Sequence, residues 1–218
     1  MERASFPGVY RAGRDLFTRN AEPGRRVYGE DLKRENSVEY RRWDPWRSKL
    51  AAWLLRQDRS WVAEPPSKVL YLGGGHGTTV SHLSDAWPES TIYVIEKAPL
   101  SFAPLLELSR RRENVLPILS DAQLPERYAA DVGNVGFIYQ DVAQRNQAAI
   151  FAENARACLS PGGSGLLMLK VRSITQARSQ RSVLAEARSI LEHSGWTVGH
   201  TTDLAPFARD HAAVWVEP

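Results

Sequence analysis

The sequence predicts an α/β fold: a mainly parallel sheet covered by helices on both faces, preceded by a small antiparallel β unit. Three observations carry this reading. From Ser67 onward, short apolar runs alternate with amphipathic helical runs. Strand and helix in strict turn produce a parallel sheet, because parallel neighbours need a crossover and a helix supplies it. The last two runs, WTVGHTTDL and HAAVWVEP, are both strand-like with no long helical run between them, so they form an antiparallel pair at one edge. Residues 1–46, in contrast, are broken by Pro7, Gly8, Gly13, Pro23, Gly24, Gly29 and Pro45. Only short strands fit between such turn residues, and the stretches 8–11, 26–28 and 38–43 are the candidates.

Helix signals begin at Asp44-Pro45, an acidic cap followed by proline at the first helical position. The run WRSKLAAWLLRQ then places Trp46, Leu50, Trp53 and Leu54 at helical spacing, giving a helix that bridges into the second unit. The expected division is residues 1–52 for the β unit with its bridging helix and 53–218 for the sheet domain. Beyond it, the strands are KVLYLGG, TIYVIE, NVLPILS, GFIYQD and GLLMLKV, each followed by a helical or turn-forming stretch. No internal repeat or low-complexity tail interrupts this order.

The chain has 218 residues, with 28 Lys and Arg against 25 Asp and Glu, a net charge of +3. That excess permits a polyanionic partner without demanding one. Cys158 is the single cysteine, which excludes an intrachain disulfide and a cysteine-rich zinc site. Apolar runs fall short of the roughly 20 residues that cross a bilayer, and MERASFPGVY lacks the apolar segment of a signal peptide. An intracellular, cytoplasmic protein without membrane partners is expected.

Ligands of open α/β sheets bind beyond the carboxyl ends of the strands, which singles out the loop after the first long strand. That loop reads Gly73-Gly74-Gly75-His76-Gly77-Thr78-Thr79. Glycines let backbone approach a ligand closely, and the following helix N-terminus offers free N–H groups. Glu96 ends the second strand, where a carboxylate accepts hydrogen bonds from ribose hydroxyls. Asp121 follows the third, where a carboxylate accepts an adenine amino group. Glycine loop plus acid indicates a nucleoside cofactor. Gly73, Gly75 and Gly77 read GxGxG, and Thr78 stands where the dinucleotide fingerprint wants a third glycine or alanine. Together with the antiparallel ending, this favours S-adenosylmethionine over a nicotinamide cofactor, and a methyltransferase over a dehydrogenase.

The motifs VYGE, EYRRWDPWRSKLAA, VLYLGGGHGTTVSHLSD, ENVLPILSDA, QDVAQ, LKVRSI and DLAPFARDHA resemble archaeal fibrillarin in content, order and spacing. The resemblance spans nearly the whole chain and lacks the Gly/Arg-rich extension of eukaryotic fibrillarins. It implies a small N-terminal β domain, a Rossmann-like seven-stranded methyltransferase sheet, and guide-directed 2′-O-methylation of rRNA or tRNA. It also implies a catalytic set of Lys49, Asp141, Lys170 and His211. Cofactor contacts would fall on Gly73, Thr78, Thr79, Glu96, Lys97, Asp121, Ala122, Asp141 and Gln144. The implied partners are a box C/D guide RNA with its substrate RNA, a Nop-domain scaffold and a kink-turn-binding protein. Three positions depart from the family pattern: His76 for a small or apolar residue, Lys97 for an aromatic and Gln140 for an acid. Lys97 removes an aromatic surface from the adenine site, so weaker cofactor binding than in relatives with the aromatic is expected.

Taken by themselves, the four catalytic candidates differ. Lys170 interrupts the apolar run GLLMLKV at a strand end, where a charge is costly unless paired, and Asp141 on the preceding strand is the expected partner of its ammonium. Lys49 alone reads as a solvated lysine, and His211, on an edge strand, as a structural histidine. Lys170 would deprotonate or polarise the ribose hydroxyl, or stabilise the developing alkoxide. Arg41, Arg42, Arg47 and Lys49 at the junction, and Arg172, Arg178 and Arg181 after the Lys170 strand, form two basic segments for phosphate contacts or a solvated rim. Trp46, Trp53 and Trp61 read as packing between the two units, an exposed one marking the scaffold interface. The alternative function is a non-catalytic ribonucleoprotein subunit that retains the methyltransferase fold.

Overall fold

Turn residues and short apolar runs set the N-terminal architecture of the computed structural model, which describes residues 1–57, 62–175 and 177–218. Five strands, β1 (Glu2–Arg3), β2 (Val9–Ala12), β3 (Asp15–Arg19), β4 (Leu32–Glu35) and β5 (Val38–Trp43), form an antiparallel sheet in the order β1-β2-β3-β5-β4. Two of the expected strands correspond to β2 and β5, whereas residues 26–28 form no strand. The Val27 and Tyr28 N–H groups instead donate to the Glu30 carboxylate at 3.0 and 2.8 Å, wrapping the chain around a buried acid. Strands β3 and β4 went unrecognised because DLFTR and LKRE are too short and too polar to give a clear alternating signal. Gly8 marks where this sheet approaches the second domain: a Cβ there would lie 1.9 Å from the Ala86 carbonyl oxygen.

The first helix, α1 (Lys49–Leu55), starts one turn later than Asp44-Pro45 suggests. Asp44 caps a single turn, accepting the Trp46 N–H at 2.9 Å on Oδ1 and the Arg47 N–H at 3.1 Å on its carbonyl. Ser48 is the cap of the helix itself, its Oγ accepting the Ala51 N–H at 3.3 Å. Trp46 is thereby left outside the helix and exposed, while Leu50, Trp53 and Leu54 are buried. Trp53 stacks on Trp215, with ring centroids 6.0 Å apart. Trp61 lies outside the described residues.

Seven strands build the second sheet: β6 (Lys68–Leu72), β7 (Thr91–Glu96), β8 (Val115–Leu119), β9 (Val135–Gln140), β10 (Leu159–Lys170), β11 (Thr197–Asp203) and β12 (His211–Glu217). Their order is β11-β12-β10-β9-β6-β7-β8, and only β12 runs antiparallel to its neighbours. Helices α2 (Thr78–Ala86), α3 (Pro99–Ser109), α4 (Ala129–Val132), α5 (Gln147–Cys158), α6 (Val171–Ile174) and α7 (Gln180–His193) connect them. This is the expected methyltransferase sheet with its antiparallel pair at one side. Strand periodicity divides the core: Val69 and Tyr71 of β6 face the cluster holding Trp53, Trp87 and Trp215, whereas Leu70 and Leu72 face the one holding Phe151, Leu167 and Leu191. Among the described residues no helix is long and apolar enough to cross a membrane.

The edge assignment of His211 is corrected. β12 inserts between β10 and β11, so β11 is the edge strand and His211 stands opposite Lys170 in register. The burial patterns give the reason: β12 is buried almost throughout, as an interior strand must be, whereas TVGHTTD of β11 is mostly exposed.

A buried polar network joins the two sheets. Arg41 is fully buried and pairs with Glu30 at 2.5 Å and Asp85 at 2.7 Å, and Arg112 pairs with the same Asp85 at 2.6 Å. Burial alone would raise the Glu30 carboxyl, but the Val27 N–H, Arg41 and the Tyr28 N–H hold it below the ordinary glutamate range. Beside this network His82 is wholly buried against Trp43, with rings 4.9 Å apart. Thr18 Oγ1 donates to Asp85 at 3.1 Å, so at 2.7 Å it accepts from His82 Nδ1–H, and the Tyr28 hydroxyl stands 2.7 Å from Nε2 and 3.1 Å from the Arg42 carbonyl. Burial, Arg41 and Arg112 depress the imidazole's pKa well below 6.5, which keeps it neutral.

A depressed histidine leaves the unfolded chain binding more protons below its ordinary pKa. Stability is therefore complete above pH 6.5 and is lost as pH falls from there toward the folded-state pKa, by up to about 1.4 kcal/mol per pH unit. Denaturant titrations at pH 7.5 and 5.5 should show a smaller acid loss for His82→Gln than for wild type. Equal losses would mean that His82 is not the group being protonated.

Candidate active site

The ends of β6, β7 and β9 converge on a cleft lined by Gly73, Gly75, Glu96, Lys97, Ala122, Asp141 and Gln144, among others. Gly73 has a φ of +86°, and a Cβ added there would lie 2.4 Å from the Asp141 carbonyl oxygen. The glycine is thus required both by its backbone conformation and by the close approach of β9. Gly73→Ala should cost about 1–3 kcal/mol of stability and weaken ligand binding in the cleft, because the strain falls on Asp141. Titration with S-adenosylhomocysteine and thermal melting check this, and an unchanged affinity would contradict it.

Glu96 is buried at the end of β7, its Oε2 accepting the Gly75 N–H and its Oε1 the Ala98 N–H, both at 2.8 Å. Each oxygen keeps lone-pair capacity for a hydroxyl of a ligand in the cleft. Asp121 does not itself line the cleft, although Ser120 and Ala122 on either side do. Its Oδ1 accepts from the Gln144 amide at 2.6 Å and the Gln123 N–H at 3.0 Å, and its Oδ2 lies 3.5 Å from Lys97 Nζ. Burial would raise its pKa, but the Gln123 N–H, the Gln144 amide and Lys97 outweigh that and hold it below the usual aspartate range. Thr78 and Thr79 open α2 behind the loop instead of lining the cleft. The Thr79 hydroxyl donates to Ser48 Oγ at 2.9 Å, which fastens the glycine loop to the cap of α1 and so to Lys49.

Of the four catalytic candidates, Asp141 lines the cleft, and Lys49, Lys170 and His211 do not. Lys49, at the first position of α1, pairs with Asp141 at 2.7 Å. This corrects the expected pairing of Asp141 with Lys170. An ammonium at a helix N-terminus meets an unfavourable dipole, and Asp141 offsets it. The Asp141 backbone is fixed in turn, its N–H donating to the Leu72 carbonyl at 2.8 Å. Lys170, half-buried at the end of β10, has an ammonium without a hydrogen-bond or ion-pair partner among the described residues.

Across from Lys170, the His211 Nδ1–H donates to the Arg209 carbonyl at 2.8 Å. Its Nε2 is buried with no hydrogen-bond partner among the described residues. Burial, the largest influence, acts with Lys49 and Lys170 against the Arg209 carbonyl and Asp141 to push the imidazole below its ordinary pKa. At neutral pH His211 is therefore uncharged and presents a lone pair.

Two residues that place this set were not singled out from the sequence. Ser48 is one, and its signal was the serine directly before KLAA, a better helix cap than Asp44-Pro45. Gln147 is the other. Its side chain accepts the Lys170 N–H at 2.8 Å and donates to the Lys170 carbonyl at 3.2 Å and the Gln144 carbonyl at 2.8 Å. Gln140, wholly buried, donates to the Gln147 carbonyl at 2.8 Å. No pattern in NQAAIFAENARACL marks Gln147, because a glutamine in a helical run is ordinarily solvated.

The basic segments are also redrawn. Arg41 cannot reach a phosphate, because it is the buried centre of the interdomain network. Arg42 pairs with Asp15 at 2.8 Å, Arg172 with Asp210 at 2.7 Å, and Arg178 with Glu186. Arg47 is exposed with its guanidinium 5.3 Å from the centroid of the Tyr28 ring, and Arg181 is exposed.

The Fibrillarin family model matches residues 1–217. The fibrillarin-like rRNA/tRNA 2′-O-methyltransferase of Thermoplasma acidophilum is 42% identical over 209 residues, which cover 96% of this chain and 89% of that protein. The crystal structure of Aeropyrum pernix fibrillarin with natively bound S-adenosyl-L-methionine superposes with a TM-score of 0.84 at 43% identity, covering 93% of this chain and 88% of that one. The fibrillarin chain of a fibrillarin/Nop5p complex gives a TM-score of 0.88 at 36% identity and covers 99% of both chains. The chain belongs to the fibrillarin family.

Proposed function

We propose that this protein transfers a methyl group from S-adenosylmethionine to ribose 2′-hydroxyls of rRNA and tRNA, at positions chosen by a box C/D guide RNA. The observation that carries the reading is the convergence of the Lys49–Asp141 pair, at 2.7 Å, with Lys170 and His211 in register beside a glycine-walled cleft. The cleft residues fit the cofactor: a Cβ at Gly73 or Gly74 would clash, α2 supplies an N-terminus, and Glu96 is buried with both oxygens aimed by backbone N–H groups. Gly73, Gly75, Glu96, Lys97, Ala122 and Gln144 would hold it, with Thr78, Thr79 and Asp121 shaping the wall behind them. Bound there, S-adenosylmethionine supplies an electrophilic methyl group.

The chain's own residues then manage orientation and one proton. Asp141, held by Lys49 and by β6, fixes the edge of the cleft nearest Lys170. Lys170 Nζ, free of a carboxylate, meets the 2′-oxygen and either accepts its proton or stabilises the alkoxide as it forms. The neutral Nε2 of His211 accepts a hydrogen bond from the ammonium or the hydroxyl and keeps it in line. Holding the reacting atoms in near-attack geometry contributes about 7–11 kcal/mol in favourable cases, and the Gln147 clamp on the Lys170 backbone serves that orientation.

A net charge of +3 gives weak intrinsic affinity for RNA, which supports delivery of the substrate by partners. A Nop-domain scaffold, such as the Nop5p of the relative's complex, and a kink-turn-binding protein would hold the guide, and pairing would select the nucleotide. The test is reconstitution with these partners and two guides of different sequence. The methyl group should move with the guide. A methyl group that stays in place when the guide changes would refute guide direction, and none at all would favour the non-catalytic alternative.

A further inference from the structure

Among the described residues Trp46 is the most exposed tryptophan, at 64%, although its turn leads directly into Ser48 and Lys49. It meets Phe207 edge to face, with centroids 5.2 Å apart and planes at 73°. Phe207 belongs to the loop that closes β11 onto β12: the Leu204 N–H donates to the His211 carbonyl at 3.1 Å, and the Ala208 N–H to the Leu204 carbonyl at 3.1 Å. The two rings therefore bridge the segment that leads into Lys49 and the segment that leads into His211. Both segments are hydrogen-bonded in place, one through the Asp44 turn and the Ser48 cap, the other through this hairpin. The Trp46 ring gains little from folding, because most of it remains in water, and a ring held fixed at the rim of a site is suited to a planar partner.

We propose that Trp46, braced by Phe207, is a stacking platform for a base of the substrate RNA, either the target nucleotide or its immediate neighbour. This rests on the reading of the site as an RNA 2′-O-methyltransferase. A ribose reaching Lys170 and His211 carries its base outward past the rim, and sequence-tolerant stacking suits an enzyme whose target is chosen by a guide. The charges agree with a nucleic acid: Arg47 follows Trp46 directly, and Arg209 follows Phe207 by two residues, both of them exposed. Trp46 positions substrate and takes no part in proton transfer.

The test uses the assembled complex and single-turnover methyl transfer. Trp46→Ala should lower the rate at subsaturating RNA about ten- to a hundredfold, the range of one lost base stack, with Trp46→Phe largely restoring it. S-adenosylhomocysteine affinity and scaffold binding should not change. An abasic nucleotide at the target or its neighbour should impose the same loss on the wild type and leave Trp46→Ala nothing further to lose. Additive losses on abasic RNA, or a full rate for Trp46→Ala, would overturn the proposal, as would lost binding to the scaffold protein without RNA, which would make Trp46 a protein contact. A 4-thiouridine at the target position, photo-crosslinked to Trp46, reads the contact without turnover. If the wild type transfers no methyl group, the functional reading fails and the crosslink alone decides the platform.

Discussion

Lys170→Ala should abolish methyl transfer, by at least about 10²–10⁴-fold, while leaving the fold intact. Loss of activity and survival of the structure have one geometric origin. Asp141 is engaged by Lys49 at 2.7 Å, and Lys170 has no ion-pair partner among the described residues, so removing Lys170 strands no buried acid. Its backbone remains clamped by Gln147. Melting of the variant should stay close to wild type, and S-adenosylhomocysteine should bind normally. Asp141→Ala should lose transfer as well, but with weaker cofactor binding, because Asp141 lines the cleft and its loss leaves the Lys49 ammonium unpaired. Wild-type activity should also fall with acid, since a protonated His211 offers no lone pair, and its depressed pKa puts that limb below the ordinary value of 6.5. Near-normal turnover by Lys170→Ala would remove this lysine from the chemistry.

Arg41→Ala should be the most damaging single change to stability. Among the described residues it removes the one side chain that ion-pairs with both Glu30, in the loop before β4, and Asp85 of α2, and it leaves Glu30 without its ion-pair partner. Breaking one side of a buried pair costs about 3–5 kcal/mol, because the abandoned charge stays desolvated. For a chain of this size that lowers the melting temperature by roughly 10 °C. Arg42→Ala is the control on the next residue: its half-exposed pair with Asp15 contributes less than about 1 kcal/mol. Thermal melting of the two variants side by side checks the contrast, and equal effects would mean that Arg41 is replaceable by water.

How much of this was legible in the sequence depends on the distance over which each feature is encoded. The strand and helix alternation, the glycine loop and Glu96 are local patterns, and the structure places them as read. The strand DLFTR was missed because five residues between turns carry too little periodicity. The position of β12 was legible in principle: HAAVWVE is apolar throughout and TVGHTTD is not, which assigns the interior and the edge. Pairing choices were not legible. Asp141 takes Lys49, 92 residues away in sequence, and the contact depends on where the α1 cap is set, which the bond from Thr79 to Ser48 helps to fix. Arg41 and Arg42 are adjacent in sequence yet opposite in role, because alternation along β5 turns one inward and the other outward.

The most direct test of the central claim, that Lys170 and its neighbours act on a ribose 2′-hydroxyl, is transfer of a labelled methyl group in the reconstituted complex to two guide-matched RNAs. One carries ribose at the target nucleotide and the other 2′-deoxyribose. Label on the 2′-oxygen of the first and none on the second is the predicted result. Equal labelling of both would place the methyl group on another atom and contradict the account.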